Sequence, residues 1–404
     1  MTPEIRPIRE EERGEMSRVV RTAFNAGPGM NITMPVEWTL CLFEDGKLAT
    51  SYAYYPLTML LNGAEAPIAG VTMVGTLPIY RRNGYLRTVT KRHFQMMHEQ
   101  GEQHITALFA SRTAIYQRYG YGVVSGVRSY NIEPRDIQLL NNEPVTGKYR
   151  EAGDAESGQM LDVYHQFIRG RNGYILRKGD YFSINGAPYL TYKPPELAEK
   201  LSRVLYYEDN VPVGYIAYLI NQDLRPGQGM GQTIAITDMA FLTPSAYLAI
   251  WTYLSRFDLV NLISRWKVPP DDPLPHLLLE PKRLDVSMPS NGLLARLVNV
   301  DKALTQRRYD TEGTLTFRLI DELCDWNNGV WRLDASPDGS KVGRASGEPQ
   351  VTVPVSTLAM LFFGWLSASE AARMGRLEVH DRTALPAWDR VMRTSYVPFC
   401  ADNF

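Results

Sequence analysis

An α+β fold in tandem domains is what this sequence predicts, and three observations lead there. The dipeptides Asp45-Gly46 and Asp209-Asn210 each lie between β-prone apolar runs, the pattern of an antiparallel hairpin. A further strand and then a stretch with helical apolar spacing follow each hairpin, so the middle of the chain echoes its beginning. A chain of 404 residues also exceeds what one core organises, at roughly 100–200 residues per domain. Three domains are expected: 1–135, 136–283 and 284–404.

The elements follow in order. A short strand at 5–8 precedes a helix over about 10–24, with Met16, Val19, Val20 and Ala23 on one stripe. Strands at 38–44 and 48–60 flank the Asp45-Gly46 turn, and a third runs over 70–78. A helix over about 84–100 places Leu86, Val89, His93, Met96 and Met97 on one face, and Gly101 stops it. A strand at 105–110 completes a mixed, largely antiparallel sheet with flanking helices. The Asn-, Pro- and charge-rich stretch 133–158 reads as a linker that becomes the first strand of a second unit. That unit repeats the order with strands at 204–207, 213–220 and 233–241 and a helix at 245–257. The Pro-rich segment 269–273 lies near the second boundary. Beyond it, strands at 313–319 and 329–335 and helices near 354–365 and 368–374 form a compact α+β unit.

Composition removes several function classes. Lys plus Arg number 43 against 44 Asp plus Glu, so no overall field favours a phosphate backbone or an anionic membrane, and neither partner is expected. The opening MTPEIRPIREEERGEM has no apolar signal core, and no run approaches a membrane span, which predicts a cytoplasmic protein. Cys41, Cys324 and Cys400 are far apart and odd in number, as expected of reduced thiols. No metal is expected, because no histidines stand at ligand spacing; His93 and His98, five apart on one helix, splay away from each other.

The stretch 71–87 is the most informative. A strand ends at Pro78, a turn carries Arg81, Arg82 and Gly84, and a helix opens. Helix N-termini present unpaired N–H groups and positive potential, so such a turn can cradle a pyrophosphate, with the arginines adding charge. This segment resembles the Arg/Gln-x-x-Gly-x-Gly/Ala signature of the GNAT acetyltransferases, and here it reads Arg81-Arg82-Asn83-Gly84-Tyr85-Leu86. Leu86 in place of a small residue is typical of the Eis-like subgroup, the enhanced intracellular survival proteins. The stretch 107–122 resembles the subgroup's sequence around its catalytic tyrosine, with Tyr116 in that position. Asp325-Trp326-Asn327-Asn328-Gly329-Val330-Trp331 fits a last domain resembling sterol carrier proteins, and the match continues to Phe404.

The resemblance implies two tandem GNAT-like domains, the second degenerate, followed by a sterol-carrier-like domain, and an acetyl-CoA-dependent transferase acting on a small-molecule or peptide amine. It implies that Val74, Thr76, Arg81, Arg82, Gly84, Tyr85 and Leu86 bind acetyl-CoA, with the Val74 N–H on the thioester carbonyl. It implies that Tyr116 protonates the leaving thiolate, that the carboxylate of Phe404 helps deprotonate the amine, and that Phe24, Glu37, Trp38 and Ser111 contact the acceptor. Aminoglycosides, polyamines and lysine are the acceptor classes. Asn25, Ala26 and Asn403 stand where acidic residues would favour aminoglycosides, which argues against strong binding of those. A hexamer of two trimers is expected by the same resemblance. The alternative function is a non-catalytic acyl-CoA or lipid carrier, with the apolar span 361–366 lining a tunnel.

Overall fold

Hairpin turns and helix stops govern the chain's course. Asp45 and Gly46 both take positive φ, as do Asn62 and Gly63 at a second turn, and the two turns fold the first long strands onto each other. The computed structural model describes residues 3–25, 32–140, 145–179, 200–225 and 229–404. Ala26 and part of the expected linker, 141–144, lie outside them.

By contacts the chain divides into two units. The first comprises Met1–Val124, Leu293–Ser395 and Phe404; the second comprises Ser125–Gly292 and Tyr396–Asn403.

The first unit is built on a seven-stranded sheet of β1 (Glu4–Arg6), β2 (Cys41–Glu44), β3 (Lys47–Leu61), β4 (Ala64–Thr76), β5 (Ile105–Leu108) and β6 (Gly122–Val123), with β14 (Leu294–Leu297) between β5 and β6. Its helices are α1 (Arg13–Phe24), α2 (Tyr85–Gln100) and the short α3 (Thr113–Gln117). The expected strand at 38–44 starts later, because Val36–Trp38 forms a 3-10 turn after Pro35; Thr39 is extended but makes only an isolated bridge with Ala53, and the strand begins at Cys41. Conversely β4 starts earlier than expected, at Ala64, directly after the Asn62-Gly63 turn. Leu294, Ala295 and Leu297 are fully buried, and β14 pairs antiparallel with both β5 and β6. Arg296 on the same strand is buried against Asp321, with both carboxylate oxygens 2.6 Å from Nη2.

The unit's other sheet has the order β17-β16-β15-β18-β19: β15 (Gly313–Ile320), β16 (Gly329–Ser336), β17 (Gly339–Arg344), β18 (Val351–Pro354) and β19 (Glu378–Val379). Asp321, Asn327 and Trp326 tie the loop between β15 and β16 down. Asp321 accepts the Leu323 and Cys324 N–H groups, and Trp326 Nε1 and Asn327 Nδ2 donate to the Val298 carbonyl.

The second unit holds the sheet β13-β7-β12-β11-β10-β9-β8: β7 (Gly126–Ile132), β8 (Lys148–Glu151), β9 (Ser202–Glu208), β10 (Val211–Arg225), β11 (Gly229–Phe241), β12 (Val260–Val268) and β13 (Asp285–Asn291). Its helices are α4 (Ser157–Ile168), α5 (Pro244–Leu254) and the single turn α6 (Leu274–Leu277). The parallel pair β11/β12 matches the parallel pair β4/β5 of the first unit, each with one helix between its strands. Buried Ile216, Ile234, Tyr247 and Trp251 fill the core between sheet and helices. Among the described residues no helix is long and apolar enough to cross a membrane.

Candidate active site

The site forms where β4 parts from its neighbours. Its parallel ladder with β5 contains only Ala69↔Thr106 and Gly70↔Ala107, and beyond Gly70 the strands diverge. On its other edge the ladder with β3 runs through Ala53↔Thr72 and resumes at Ser51↔Gly75, so Met73 and Val74 together oppose Tyr52. This is a β-bulge, with Met73 at φ 51°, and it is held by the Ser51 hydroxyl donating to the Met73 carbonyl at 2.9 Å. Val74 is therefore in neither ladder.

Helix α1 closes one side. A Cβ on Gly75 would lie 2.8 Å from the Ala23 Cβ, so glycine at 75 permits the close approach of α1 to β4. The approach brings Phe24, 46% exposed, to the bulge.

The turn after β4 prepares the next helix. Arg81 Nε donates to the Thr76 carbonyl at 3.1 Å, and Arg82 and Gly84 both take positive φ. A Cβ on Gly84 would meet nothing within 4 Å, so its φ of 79°, and not crowding by the protein, is what calls for glycine. No side chain caps α2 and no acidic residue stands in its first turn. Its leading N–H groups and positive dipole end are thus left for an external anion, and the residues fit a pyrophosphate.

Two cavities meet at this bulge. The larger, about 590 Å³, is lined by Val74, Gly75 and Thr76 of β4, Arg81, Leu86 and the Arg112–Tyr116 region. The smaller, about 240 Å³, is lined by Val71–Val74, Val20, Phe109 and Phe404. Phe24, Val74, Ser111 and Tyr116 line both. The Phe404 ring lies 5.3 Å from Phe109, and a Cβ on Gly70 would come within 2.8 Å of it.

Tyr116 stands edge-on to Tyr121, with ring centroids 5.9 Å apart. Burial, reinforced by Tyr121 and Tyr119, pushes its hydroxyl well above the usual phenol range, so it holds its proton at every physiological pH. No hydrogen bond from this hydroxyl is found among the described residues. Behind it, Tyr52 bonds to His93 Nδ1 at 2.9 Å, and burial lowers the imidazole to about 3, so His93 is neutral.

The structure brings together Val74, Thr76, Arg81, Leu86, Phe24, Ser111, Tyr116 and Phe404. It does not bring the other expected residues to either cavity lining. The Tyr85 hydroxyl donates to Glu44, which raises its pKa, and Arg82 and Gly84 shape the turn. Trp38 packs edge-on against Tyr55 at 5.9 Å, and Glu37 is exposed. Sequence reasoning missed Arg112, Ile115 and Phe109, although all three lie in the stretch around Tyr116; Arg112 directly precedes α3 and adds a second cation beside Arg81 to the larger cavity. Among the described residues no three His, Cys, Asp or Glu side chains cluster as metal ligands.

Comparison with known proteins decides the family. Models of the acetyltransferase (GNAT) domain match residues 4–124 and 188–297, and a sterol carrier protein domain matches 300–401. The N-acetyltransferase Eis of Mycobacterium bovis is 25% identical over 370 residues, covering 90% of this chain and 84% of its own. The chain is an Eis-like GNAT N-acetyltransferase. An uncharacterized N-acetyltransferase of Streptomyces avermitilis is similar to this Eis-like chain over 99% of its length, at 25% identity and 98% coverage of the relative. Eis1 of Mycobacterium abscessus has the same fold, with TM-score 0.82, 24% identity and coverage of 99% and 100%. A GCN5-related N-acetyltransferase of Anabaena variabilis superposes with TM-score 0.85 at 21% identity over the full length of both chains.

Proposed function

We propose that the first GNAT domain of this Eis-like chain transfers the acetyl group of acetyl-CoA to a primary amine, with the donor in the larger cavity and the acceptor in the smaller. The observation that carries this reading is the shared wall: Val74 and Tyr116 face both spaces, where a thioester carbonyl and a departing sulfur would lie side by side. Arg81, Arg112 and the uncapped start of α2 suit the pyrophosphate. The amine nitrogen attacks the thioester carbon, and the Val74 N–H stabilises the oxyanion. The C–S bond then breaks, and the Tyr116 hydroxyl gives its proton to the thiolate. The tyrosinate is reprotonated by the proton the amine has lost.

The acceptor is a compact amine with an apolar portion. Phe24, Phe109 and Phe404 give the smaller cavity an aromatic wall, and among the described residues no side chain in its lining is acidic, which disfavours a polycationic aminoglycoside. We place the protein in the cytoplasm as a hexamer; Cys41, Cys324 and Cys400 are free and buried, their thiols pushed up to about 12 by burial, as suits a reducing compartment. The carrier alternative is not favoured, since Leu361, Phe362 and Phe363 are fully buried. Release of CoA thiol tests the reading: acetyl-CoA is offered with aminoglycosides, polyamines, lysine peptides and aryl-alkyl amines. Turnover with the aryl-alkyl amines above the aminoglycosides is expected, and absence of acceptor-dependent thiol release overturns the assignment.

A further inference from the structure

The second unit repeats the plan of the first but not its chemistry. A cavity of about 410 Å³ lies where α4 ends (Phe167), β11 ends (Phe241, Leu242) and α5 begins (Thr243, Pro244). This is the place that corresponds, through α1, β4 and α2, to the larger cavity of the first unit.

Here the start of the helix is already occupied by the protein itself. The Thr243 hydroxyl oxygen accepts the Ala246 N–H at 3.0 Å, and Pro244 has no N–H to offer. The Glu208 carboxylate accepts the hydroxyls of Thr243, at 3.3 Å, and Ser245. A carboxylate on the helix N-terminus takes up its positive potential and repels a pyrophosphate, so the chemistry excludes a nucleotide.

What remains is an apolar, aromatic space with two arginines in its lining, the exposed Arg169 and the part-buried Arg171. Phe241 packs on Phe167 at 5.2 Å and on Tyr247 at 4.5 Å, and Leu248 and Leu277 add to the lining. The Arg171 guanidinium is sandwiched between the rings of Phe167, at 4.0 Å, and Tyr396, at 4.2 Å, while its Nε donates to the Phe167 carbonyl at 2.9 Å. Its two terminal nitrogens make no hydrogen bond or ion pair among the described residues. A guanidinium fixed by stacking, with its fork unpaired beside an apolar cavity, matches a carboxylate attached to a hydrophobic body. The volume lies within the roughly 300–1,000 Å³ of small-molecule sites.

We propose that this cavity binds a small apolar monocarboxylate, its carboxylate on Arg171 and its body among Phe167, Phe241, Tyr247 and Leu248. Calorimetry on the full-length protein tests this with 2-naphthoate, decanoate and the uncharged naphthalen-2-ylmethanol. At least one carboxylate is expected to bind at a one-to-one ratio, at least tenfold tighter than the alcohol, with affinity unchanged by saturating acetyl-CoA. Preference for naphthoate or for decanoate identifies an aromatic or a straight-chain ligand. Arg171→Gln should weaken the carboxylate tenfold or more while leaving the alcohol unaffected. Leu248→Trp, which keeps the arginine and fills the space, should abolish binding of all three with acetyl transfer intact. No binding of either carboxylate at millimolar concentration overturns the proposal, as does binding that Leu248→Trp leaves unchanged, or equal affinity for acid and alcohol.

Discussion

Replacing Tyr116 by Phe isolates one hydroxyl. The ring keeps its edge contact with Tyr121, and the lost O–H has no partner among the described residues, so folding stability should change by less than about 1 kcal/mol. The chemistry should change far more. With its pKa raised above the usual value of about 10, fewer than roughly one in 300 Tyr116 hydroxyls is ionised at pH 7.5, so nearly every molecule carries the proton the thiolate needs. Loss of a positioned general acid costs about 10²–10⁴ in rate, which is about 2.7–5.4 kcal/mol of barrier. The assay is thiol release at saturating acetyl-CoA and acceptor, paired with calorimetric acetyl-CoA affinity and thermal melting. Expected are a fall in kcat of at least about a hundredfold, an acetyl-CoA Kd within a few-fold of wild type, and a melting midpoint nearly unchanged. For the wild type, no loss of activity from ionisation of Tyr116 should appear below about pH 10. A kcat within about twofold of wild type would refute the role and leave Tyr116 as a packing residue.

Other perturbations separate the two cavities and the core. Arg81→Ala and Arg112→Ala should each raise the acetyl-CoA KM about tenfold or more, with a smaller effect from Arg82→Ala, whose side chain is not part of the lining; equal effects of all three would count against the assignment. Gly70→Ala would set a methyl 2.8 Å from the Phe404 ring and 2.7 Å from Leu57, so the acceptor KM should rise and stability fall by about 1–3 kcal/mol, with the acetyl-CoA KM unchanged; a normal acceptor KM would remove Phe404 from the site. His93 is held near 3 against 6.5 when unfolded, so its contribution is complete above pH 6.5 and is lost as pH falls towards 3. Stabilities from urea unfolding should show about 1.6 kcal/mol lost from this group between pH 6.5 and pH 5, and His93→Gln should remove that part of the slope; an unchanged slope would refute the buried neutral state.

The sequence alone determined whatever depends on neighbours along the chain. Asp45-Gly46 and Asp209-Asn210 made their hairpins because their residues tolerate positive φ, and Gly101 ended α2 for the same reason. The Arg81–Leu86 turn was legible because strand end, turn and helix start are contiguous there, whereas Tyr116 was singled out only by the family resemblance. Tertiary structure decided the rest. Leu294–Leu297 is too short to announce its partners, and only folding pairs it with β5 and β6, nearly two hundred positions earlier in the chain. Arg112 and Phe109 line the cavities that open where β5 and β4 diverge beyond Gly70, and Trp38 and Tyr85 found protein partners in Tyr55 and Glu44. In the second unit, Glu208 meets Thr243 and Ser245 across more than thirty residues and fills the helix start that a ligand's phosphates would need. Local conformation follows from local residues, whereas which side chains share a cavity depends on strand divergence and register, and those are settled only when the whole sheet packs.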